Sequence, residues 1–267
     1  MIKEIHKVKS AEFIMSRHYS PVMPRLTKYY CGYYVDNTLQ GVITFGWGTR
    51  PKHTIQKLFP KLDTKDYYEI GKMCMDDSML KNSETQMLSS AFRWLKNKEP
   101  NLKYLFTWAD GLVGKAGYVY QAFNFLYGGY IWTDTYVTEK GEKVHPRTMQ
   151  GKIPNTKNRK VGMRPNPKQL IELKLSRVKG KQFRYILPMN KKMRKFLKQS
   201  TVEWHLNYPK HKDLEWRIKK PGDKEYKHTT TIPFTLTKEI EYNQHNVDRY
   251  KSKSNLDEFL LDMERYI

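Results

Sequence analysis

The stretch Tyr104-Leu105-Phe106-Thr107-Trp108-Ala109-Asp110-Gly111 decides the fold. Its first six residues form an almost uninterrupted apolar run, so we expect a central strand that is buried on both faces. Asp110 follows at the carboxyl end of that strand, and the next loop contains Gly114 and Gly117. In open α/β sheets, ligands bind beyond the carboxyl ends of strands. The stretch therefore predicts an α/β fold with a site near Asp110.

Periodic segments before and after this strand predict the rest of the sheet. They indicate, in chain order, a helix, a hairpin, a strand, a helix, the central strand, a helix and a strand. The two strand–helix alternations after residue 66 favour parallel pairing there. We therefore expect a mixed central sheet flanked by helices. The segments are 9–19 with Ser10 as N-cap, 29–35 and 39–46 joined by Asp36-Asn37, 67–75, 83–98 with Ser83 as N-cap, 118–125 and 127–137.

The chain after residue 140 has a different character. Residues 150–170 are rich in Pro, Asn and Lys and indicate an extended connector, followed by a short strand at 181–188 and a short basic helix at 190–197. Beyond residue 200, only 255–266 shows clear helical periodicity. We therefore predict a catalytic core over 1–150, a basic DNA-binding extension over 151–200 packed on that core, and an appendage over 201–267 with no assigned role.

The formal net charge of +22 over 267 residues is concentrated in one region. Residues 140–220 contain 24 Lys and Arg against 5 Asp and Glu, whereas residues 1–139 have a net charge of +5 and residues 221–267 a net charge of −2. Such an excess attracts polyanions, most simply nucleic acid. We expect these cations to contact DNA phosphates. The candidates are Arg147, Lys157, Arg159, Lys160, Arg164, Lys168, Arg184, Lys191, Lys192, Arg194 and Lys195.

The composition also argues against several other classes of protein. The two cysteines, Cys31 and Cys74, are too few for a disulfide framework and lack zinc-finger spacing. The sequence has no apolar run long enough to cross a membrane. The first seven residues lack the apolar segment of a signal peptide. We therefore expect a globular protein that is neither secreted nor bound in a membrane.

Three blocks of sequence resemble a known family. They are Glu69-Ile70-Gly71-Lys72-Met73 with the helix that follows, Trp108-Ala109-Asp110-Gly111 through Phe125, and Val144-His145-Pro146-Arg147-Thr148 with Arg184-Tyr185-Ile186. The order of elements resembles the GNAT acyltransferase fold, in which a splayed mixed sheet binds acyl-CoA between two strands. The closer similarity, over residues 10–195, is to the Mom family of phage DNA-adenine modification proteins.

The resemblance implies a particular reaction. Mom-like proteins convert adenine in double-stranded DNA to methylcarbamoyl adenine in the cytoplasm of the infected bacterial host, which shields phage DNA from restriction. The implied acyl donor is acetyl-CoA. Simple acyl transfer does not yield a methylcarbamoyl group, so a rearrangement assisted by a metal such as iron is a further hypothesis. The spacing of residues does not support an iron site, and His18, Asp110 and His145 would have to converge to form one.

The resemblance, together with side-chain chemistry, nominates catalytic residues. Asp110 would accept a proton from the adenine amine or hold a metal, and Tyr120 would protonate the departing thiolate. Glu69 is a second candidate base, and Ser89 is a further catalytic candidate. Strand parity places Glu69 and Lys72 on opposite faces unless a bulge intervenes. Each of these residues also has a structural interpretation, as a turn carboxylate, a core aromatic or a packing residue.

Other side chains are candidates for binding the donor and the base. The segment 76–83 has no glycine where GNAT enzymes have a pyrophosphate loop, and Asp76 and Asp77 would repel a pyrophosphate. CoA binding would then depend on the N-terminus of the helix at 83–98. The amides of Gln121 and Asn124 suit adenine's edge, and aromatic side chains could stack on an extruded base. The cofactor candidates are Lys72, Met73, Ser83, Tyr120 and Asn124, and the stacking candidates are Trp47, Trp108 and Tyr118.

Two other functions remain open from the sequence. The chain could be a GNAT-type acetyltransferase for a small amine or a protein, although that function does not explain the basic region. It could also be a DNA-binding protein with a degenerate, inactive GNAT core, which the missing glycine loop favours. A homodimer is a further alternative to a single chain.

Overall fold

The computed structural model describes residues 1–20, 23–24, 26–48, 51, 55–144 and 165–236. These residues form a mixed sheet with helices on both faces. The helices are α1 (Lys7–Arg17), α2 (Ser83–Lys98), α3 (Tyr118–Ala122), α4 (Pro167–Glu172) and α5 (Lys191–Phe196). The strands are β1 (Ile2–Glu4), β2 (Leu26–Val35), β3 (Thr38–Gly48), β4 (Tyr67–Met75), β5 (Tyr104–Asp110), β6 (Leu126–Val137), β7 (Lys143–Val144), β8 (Ser176–Pro188), β9 (Trp216–Lys219) and β10 (Lys227–Thr229).

The strand order is β1-β2-β3-β4-β5-β8-β6-β7, and β9 and β10 continue the sheet from β8. The expected central strand is confirmed, because β5 pairs in parallel with β4 and antiparallel with β8. The expected mixed sheet flanked by helices is confirmed as well. Among the described strands, only β4 and β5 pair in parallel. The second parallel pair, expected between β5 and β6, is wrong, because the antiparallel β8 lies between them.

The hairpin predicted around Asp36-Asn37 joins β2 to β3. Both residues have positive φ angles, 47° and 61°. Two successive left-handed residues form the type of turn that matches the twist of antiparallel strands, and Asn and Asp tolerate that conformation. The sequence pattern and the structure therefore agree at this turn.

The helix starts differ from those predicted by the capping residues. Asn82, with φ 74°, precedes α2, and Ser83 is the first helical residue, so the Ser83 side chain does not cap the helix. His6 occupies the N-cap position of α1, where its ring accepts a hydrogen bond from Val8, and Ser10 lies inside the helix. Helix α3 ends at Ala122, before the predicted residue 125, because Asn124 takes the left-handed conformation.

The sheet does not follow the expected division at residue 150. Strand β8, which lies within the predicted basic extension, has β5 on one side and β6 on the other. The described part of the predicted appendage also packs on the sheet. Trp216 is 1% exposed, and its indole donates a hydrogen bond to the Leu112 carbonyl. The described residues between 165 and 236 therefore complete the sheet and its core rather than forming a separate body.

No helix among the described residues combines the length and apolar character needed to span a membrane. Cys31 and Cys74 are both buried free thiols.

Candidate functional site

Strands β4 and β5 separate part of the way along the sheet. Their pairing ends at Glu69 and Phe106. Beyond these residues, β4 continues beside β3 alone and β5 continues beside β8. The gap between Ile70–Met75 and Thr107–Asp110 is called the β4–β5 opening here. It is the splayed arrangement that the similarity to acyltransferases predicts.

A β-bulge at Gly71 places two charged side chains on the same face of β4. Lys72 pairs with Thr44, whereas Ile70 pairs with Phe45, so Gly71 has no partner on β3. Glu69 pairs with Gly46, which is two residues from Thr44 on an unbulged strand. Glu69 and Lys72 therefore face the same side, as the extra residue in a bulge allows.

Glycine at position 71 is required by its surroundings. A Cβ atom there would lie 2.6 Å from Cγ of Pro24 and 3.2 Å from Oγ1 of Thr44. Both atoms belong to rigid groups that cannot easily move away. The close approach explains why the bulge contains glycine.

Asp110 ends β5 on the face shared by Glu69 and Lys72. Its Oδ1 atom is buried and accepts no hydrogen bond from the described residues. Burial raises the pKa of this carboxyl group. The cations of Lys143 and Lys72 and the backbone N–H groups of Leu112 and Val113 partly oppose that rise. A buried carboxylate oxygen without a partner is available to a substrate proton or another ligand.

Glu69 is held against backbone that leaves no room for another side chain. Gly48 has a φ of 72°, and a Cβ atom at this position would lie 2.3 Å from Oε2 of Glu69. Burial raises the pKa of Glu69 to about 7, while a hydrogen bond with Trp108 partly offsets the rise. A carboxyl group with this pKa exchanges protons near neutral pH.

Lys72 occupies the same opening as a buried cation. Its Nζ donates a hydrogen bond of 2.9 Å to the Ser20 carbonyl. Burial lowers the pKa of Lys72 to about 8, although the Asp110 carboxylate favours the charged form. The opening therefore contains two carboxyl groups with raised pKa values and an ammonium group with a lowered one.

The segment after α1 closes one side of the opening. The rings of His18 and Tyr19 stack with centroids 4.3 Å apart. Burial lowers the pKa of His18 to about 3, and the charges of Lys72 and Lys115 add to the effect, so the imidazole is neutral at pH 7. Tyr19 is 40% exposed. Its pKa is nevertheless raised by burial of the hydroxyl end and by the neighbouring Asp110 carboxylate.

Tyr120 reaches the opening from α3. The ring is 9% exposed and packs against Tyr185, with centroids 5.7 Å apart. Burial raises the pKa of its hydroxyl group, and the charge of Glu69 contributes to the rise. A phenol with a raised pKa keeps its proton at neutral pH. Tyr120 is therefore protonated and near the carboxyl groups, as its predicted acid role requires.

Gln121 does not have the role predicted for it. Its Nε2 donates to the carbonyls of Ala116 and Pro209 and to the Tyr185 hydroxyl, and its Oε1 accepts a hydrogen bond from Lys210. These partners occupy the whole amide group. Gln121 therefore anchors the segment around Pro209 to α3, and its amide is not available to an adenine edge.

The other predicted donor-binding residues lie in different surroundings. Met73 packs against the main core, and Ser83 is buried at the start of α2. Ser89 is half-buried on α2, and Asn124 is exposed in the turn after α3. Donor binding by Met73, Ser83 and Asn124 and catalysis by Ser89 therefore stay predictions. Asp76 is paired with Arg17 at 2.8 Å, which neutralises one of the two charges expected to repel a pyrophosphate.

The predicted DNA-contacting residues fall into three groups. Arg184 is 9% exposed, donates to the Gly128 carbonyl and lies over Trp108 at 5.4 Å, so it is a buried residue of β8 rather than a surface cation. The cations of α5 are exposed on the surface: Lys191, Lys192, Arg194 and Lys195. Lys168 on α4 is exposed as well, whereas the remaining candidates lie outside the described residues: Arg147, Lys157, Arg159, Lys160 and Arg164.

The hypothesis of an iron site has no support from the described residues. Among them, no three His, Cys, Asp or Glu side chains converge as metal ligands do. His18 and Asp110 both border the opening, but the third proposed ligand, His145, lies outside the described part of the chain. The described residues therefore do not assemble a metal site of the expected kind.

Three residues of the opening were not identified from the sequence. Lys143 on β7 acts on the charge of Asp110. Lys115 lies 5.1 Å from the Tyr19 ring, and Tyr19 itself approaches Asp110 and Tyr120. Lys115 and Lys143 look like ordinary surface lysines in the sequence. Tyr19 follows His18 just before Pro21, and this cluster was the one available signal.

Comparison with known proteins places the chain in a family. A curated relative, the methylcarbamoylase Mom of Escherichia phage Mu, is 30% identical over 184 residues, which cover 69% of this chain and 73% of the relative. An N-acetyltransferase from Staphylococcus aureus Mu50 superimposes with a TM-score of 0.35 at 14% identity, covering 71% of this chain and 98% of the other. The Mom protein family model matches residues 1–210. The chain therefore belongs to the Mom protein family.

Proposed function

We propose that this chain is an enzyme that converts adenine in phage DNA to methylcarbamoyl adenine and thereby protects that DNA from host restriction. Membership of the Mom family and a relative named methylcarbamoylase support transfer of a methylcarbamoyl group. The observation that carries the proposal is the group of Glu69, Lys72 and Asp110 on one face of the β4–β5 opening. Buried titratable groups with shifted pKa values mark sites of proton transfer.

Asp110 is the base in this proposal. Its buried Oδ1 has no hydrogen-bond donor among the described residues, so an adenine amine can supply one. Burial raises the pKa of the carboxyl group, which makes its ionised form a stronger base than an exposed aspartate. Glu69 is the second candidate base, since its pKa of about 7 lies near the operating pH of a bacterial cytoplasm.

Acetyl-CoA is the proposed donor, with its thioester in the β4–β5 opening. In an acyl-transfer step, the amine nitrogen attacks the thioester carbonyl while Asp110 takes the amine proton. The carbon–sulfur bond then breaks, and Tyr120 gives its proton to the departing thiolate. A methylcarbamoyl group has a nitrogen between its carbonyl and its methyl group, whereas an acetyl group has none. Acyl transfer is therefore one part of the reaction, and the residues described here are assigned to that part alone.

Double-stranded DNA is the proposed partner. The exposed cations of α5 can contact phosphates, which gives affinity without sequence preference. A base in a duplex is inaccessible to enzymes of this kind until it is extruded from the stack. Trp108 lies beside Glu69 in the opening, where an extruded base would be placed.

The test is analysis of the nucleosides of DNA from bacteria that express the protein. The proposal predicts a deoxyadenosine carrying the mass of a methylcarbamoyl group. That nucleoside disappears with Asp110→Asn and persists with Asp77→Asn, a matched change at an exposed carboxylate. Unmodified DNA with tight, salt-dependent binding would instead identify a DNA-binding protein with an inactive core. Acetylation of a polyamine or peptide without any change in DNA would identify an ordinary acetyltransferase.

A further inference from the structure

A second surface with a distinct chemistry lies on the other side of the sheet from Asp110. Strand pairing matches Trp132 with Lys181 and Lys179 with Arg217, so these four side chains share one face of β6, β8 and β9. Tyr130 lies two residues before Trp132 and shares their face. This surface is called the β6–β8–β9 face here, and its argued rings and cations are Tyr130, Trp132, Lys179, Lys181, Arg217 and Lys219. Asp134, opposite Lys179, shares the face and is paired with Arg177.

The opposite side of the same three strands is packed. Val178 and Trp216 are almost fully buried, and a Cβ atom on Gly180 would lie 2.7 Å from Cα of Leu112. The sheet therefore has one side in the core, whereas its other side is partly open to solvent at this end, where Tyr130 is 43% exposed and Trp132, Lys179 and Arg217 are half-buried. Large aromatic rings on the solvent side do not contribute to the core, and their presence there needs another explanation.

Cations lie over the aromatic rings of this face. The Arg217 guanidinium is 4.1 Å from the Trp132 ring centroid, and Lys181 Nζ is 4.9 Å from that of Tyr130. Lys179 Nζ lies 4.5 Å from the Tyr226 ring. Such pairs hold the rings and the charges in fixed positions. Glu215 binds both Lys181 and Arg217, at 2.8 and 3.4 Å, which aligns these cations and offsets part of the positive charge.

A bulge in β6 turns one ring outward. The pairing of β6 with β8 is interrupted between Tyr127 and Tyr130, and Gly129 has a φ of 81°. Bulges often re-aim a side chain next to a functional site. Tyr130 is 43% exposed as a result.

A groove of about 520 Å³ adjoins the face. Its walls combine aromatic rings with ammonium groups, and the hydroxyl of Tyr208 is buried there without a hydrogen-bond partner among the described residues. The volume lies in the range of pockets that bind small ligands or single bases. The rings and ammonium groups that line the groove belong to Tyr127, Tyr130, Phe183, Tyr208, Lys181 and Lys210.

We infer that the β6–β8–β9 face and its groove bind an unpaired segment of DNA, with bases stacked on the rings and phosphates beside the cations. Proteins that hold single strands combine the same two features, aromatic platforms and a positive track for the backbone. The inference rests on the proposed function, because extrusion of an adenine leaves unpaired nucleotides that need a binding surface.

The position of the face fits this role. Asp110 pairs with Gln182, and Lys181 is the next residue along β8. Where β5 ends at Asp110, β9 takes its place beside β8. The face therefore lies next to the carboxyl end of β5, on the opposite side of the sheet from the Asp110 side chain.

The experiment measures binding of the full chain to a short fluorescein-labelled DNA single strand and to the duplex of the same sequence, by fluorescence anisotropy over a series of salt concentrations. Tyr130→Ala and Trp132→Ala should each weaken single-strand binding roughly tenfold or more, with less effect on the duplex. The slope of log affinity against log salt should not change with these substitutions. Lys179→Gln with Arg217→Gln should instead reduce that slope by about 0.7 per charge.

Two comparisons separate this surface from the rest of the protein. Tyr34→Ala with Lys3→Gln removes a similar ring–cation pair, 5.5 Å apart, from the far edge of the sheet, and should leave binding unchanged. Neutralising the cations of α5 should weaken duplex binding more than single-strand binding. Trp132→Leu keeps apolar bulk on the face, so it tests stacking if Trp132→Ala does not fold.

The inference is overturned if the ring substitutions leave single-strand affinity unchanged, or if they weaken duplex binding equally. Preference for single-stranded RNA over DNA of the same sequence would also overturn it. Asp110→Asn should bind the single strand normally while losing base modification. Ring-dependent binding without any modified nucleoside would therefore reject the proposed reaction but support the binding surface. Modification without ring-dependent binding would support the reaction and reject the binding surface.

Discussion

The β4–β5 opening and the β6–β8–β9 face contain the same kinds of side chain in different surroundings. In the opening, Lys72 is buried beside Asp110, and burial lowers the pKa of Lys72 and raises that of Asp110. On the face, Arg217 lies over Trp132 at the surface. Burial makes charged groups reactive, whereas exposure beside a ring leaves them available to bind a polyanion. The difference suggests chemistry in the opening and binding on the face.

The largest effect should come from removing the base in the opening. Asp110→Asn keeps the size of the side chain but cannot accept a proton. Loss of general base catalysis typically costs 10²- to 10⁴-fold in rate, so we expect a loss of about that size in the rate of adenine modification. The measurement is the fraction of modified deoxyadenosine over time in DNA incubated with purified protein and donor. Retention of normal rates would transfer the base role to Glu69.

The second-largest effect should be a difference in stability between substitutions on the two sides of the sheet at β6, β8 and β9. Trp216→Ala removes a buried indole and its hydrogen bond to Leu112, and should lower the free energy of unfolding by about 3–5 kcal/mol. Trp132→Ala, on the solvent side, should cost much less. Urea unfolding of both variants checks the comparison. Equal losses would mean that the face is part of the core and would remove the argument for a binding role.

A pH-dependent effect should distinguish the opening from the surface. The pKa of Glu69 is about 7 in the folded chain against 4.5 for the ordinary carboxyl group. Glu69 is protonated in both states below pH 4.5, whereas above pH 7 the folded chain must carry a buried charge. The contribution of Glu69 to the free energy of unfolding is therefore lost as the pH rises from 4.5 through 7.

Glu69→Gln cannot ionise, so its free energy of unfolding should rise relative to the native chain by up to about 3 kcal/mol between pH 4.5 and pH 7. Urea unfolding at a series of pH values gives this difference. Glu225→Gln, at an exposed position, should show little change over the same range. A constant difference for Glu69→Gln would show that its carboxyl group titrates like one in water.

The smallest effect separates backbone strain from damage to the opening. Gly48→Ala and Gly222→Ala both put a side chain at a positive φ, 72° and 86°, which costs about 1–2 kcal/mol of stability. At Gly48 the new Cβ also collides with Glu69, whereas at Gly222 it meets open space. We expect a larger loss of thermal stability for Gly48→Ala than for Gly222→Ala, and slower adenine modification for Gly48→Ala alone. Equal rates would show that the position of Glu69 is not important to the reaction.

Most of the sheet could be predicted from local patterns. The run ending at Asp110, the turn at Asp36-Asn37 and the helix at 83–98 are set by neighbouring residues, and the structure confirms all three. Strand β8 was predicted only over residues 181–188, since alternation of small and charged residues at 176–180 hides a strand that is buried on one side only. Its insertion between β5 and β6 depends on contacts far apart in sequence, so it was not predictable.

The residues of the candidate site also divide into those identified from the sequence and those found only in the folded chain. Asp110, Tyr120, Glu69 and Lys72 were identified from residue type, position and resemblance, whereas Lys115 and Lys143 resemble ordinary surface lysines in the sequence. Gln121 looked like a base-reading amide, and only the folded chain shows that its partners are Pro209, Lys210 and their neighbours.

The sequence by itself determined most elements between residues 7 and 137, the concentration of positive charge and the placement of a carboxylate at the end of a buried strand, because these depend on local patterns and composition. The tertiary structure decided which groups share a site. The bulge at Gly71 brings Glu69 and Lys72 to one face, and β8 with β9 brings rings and cations to another. Both outcomes depend on strand register and close packing, which are set by contacts between distant parts of the chain.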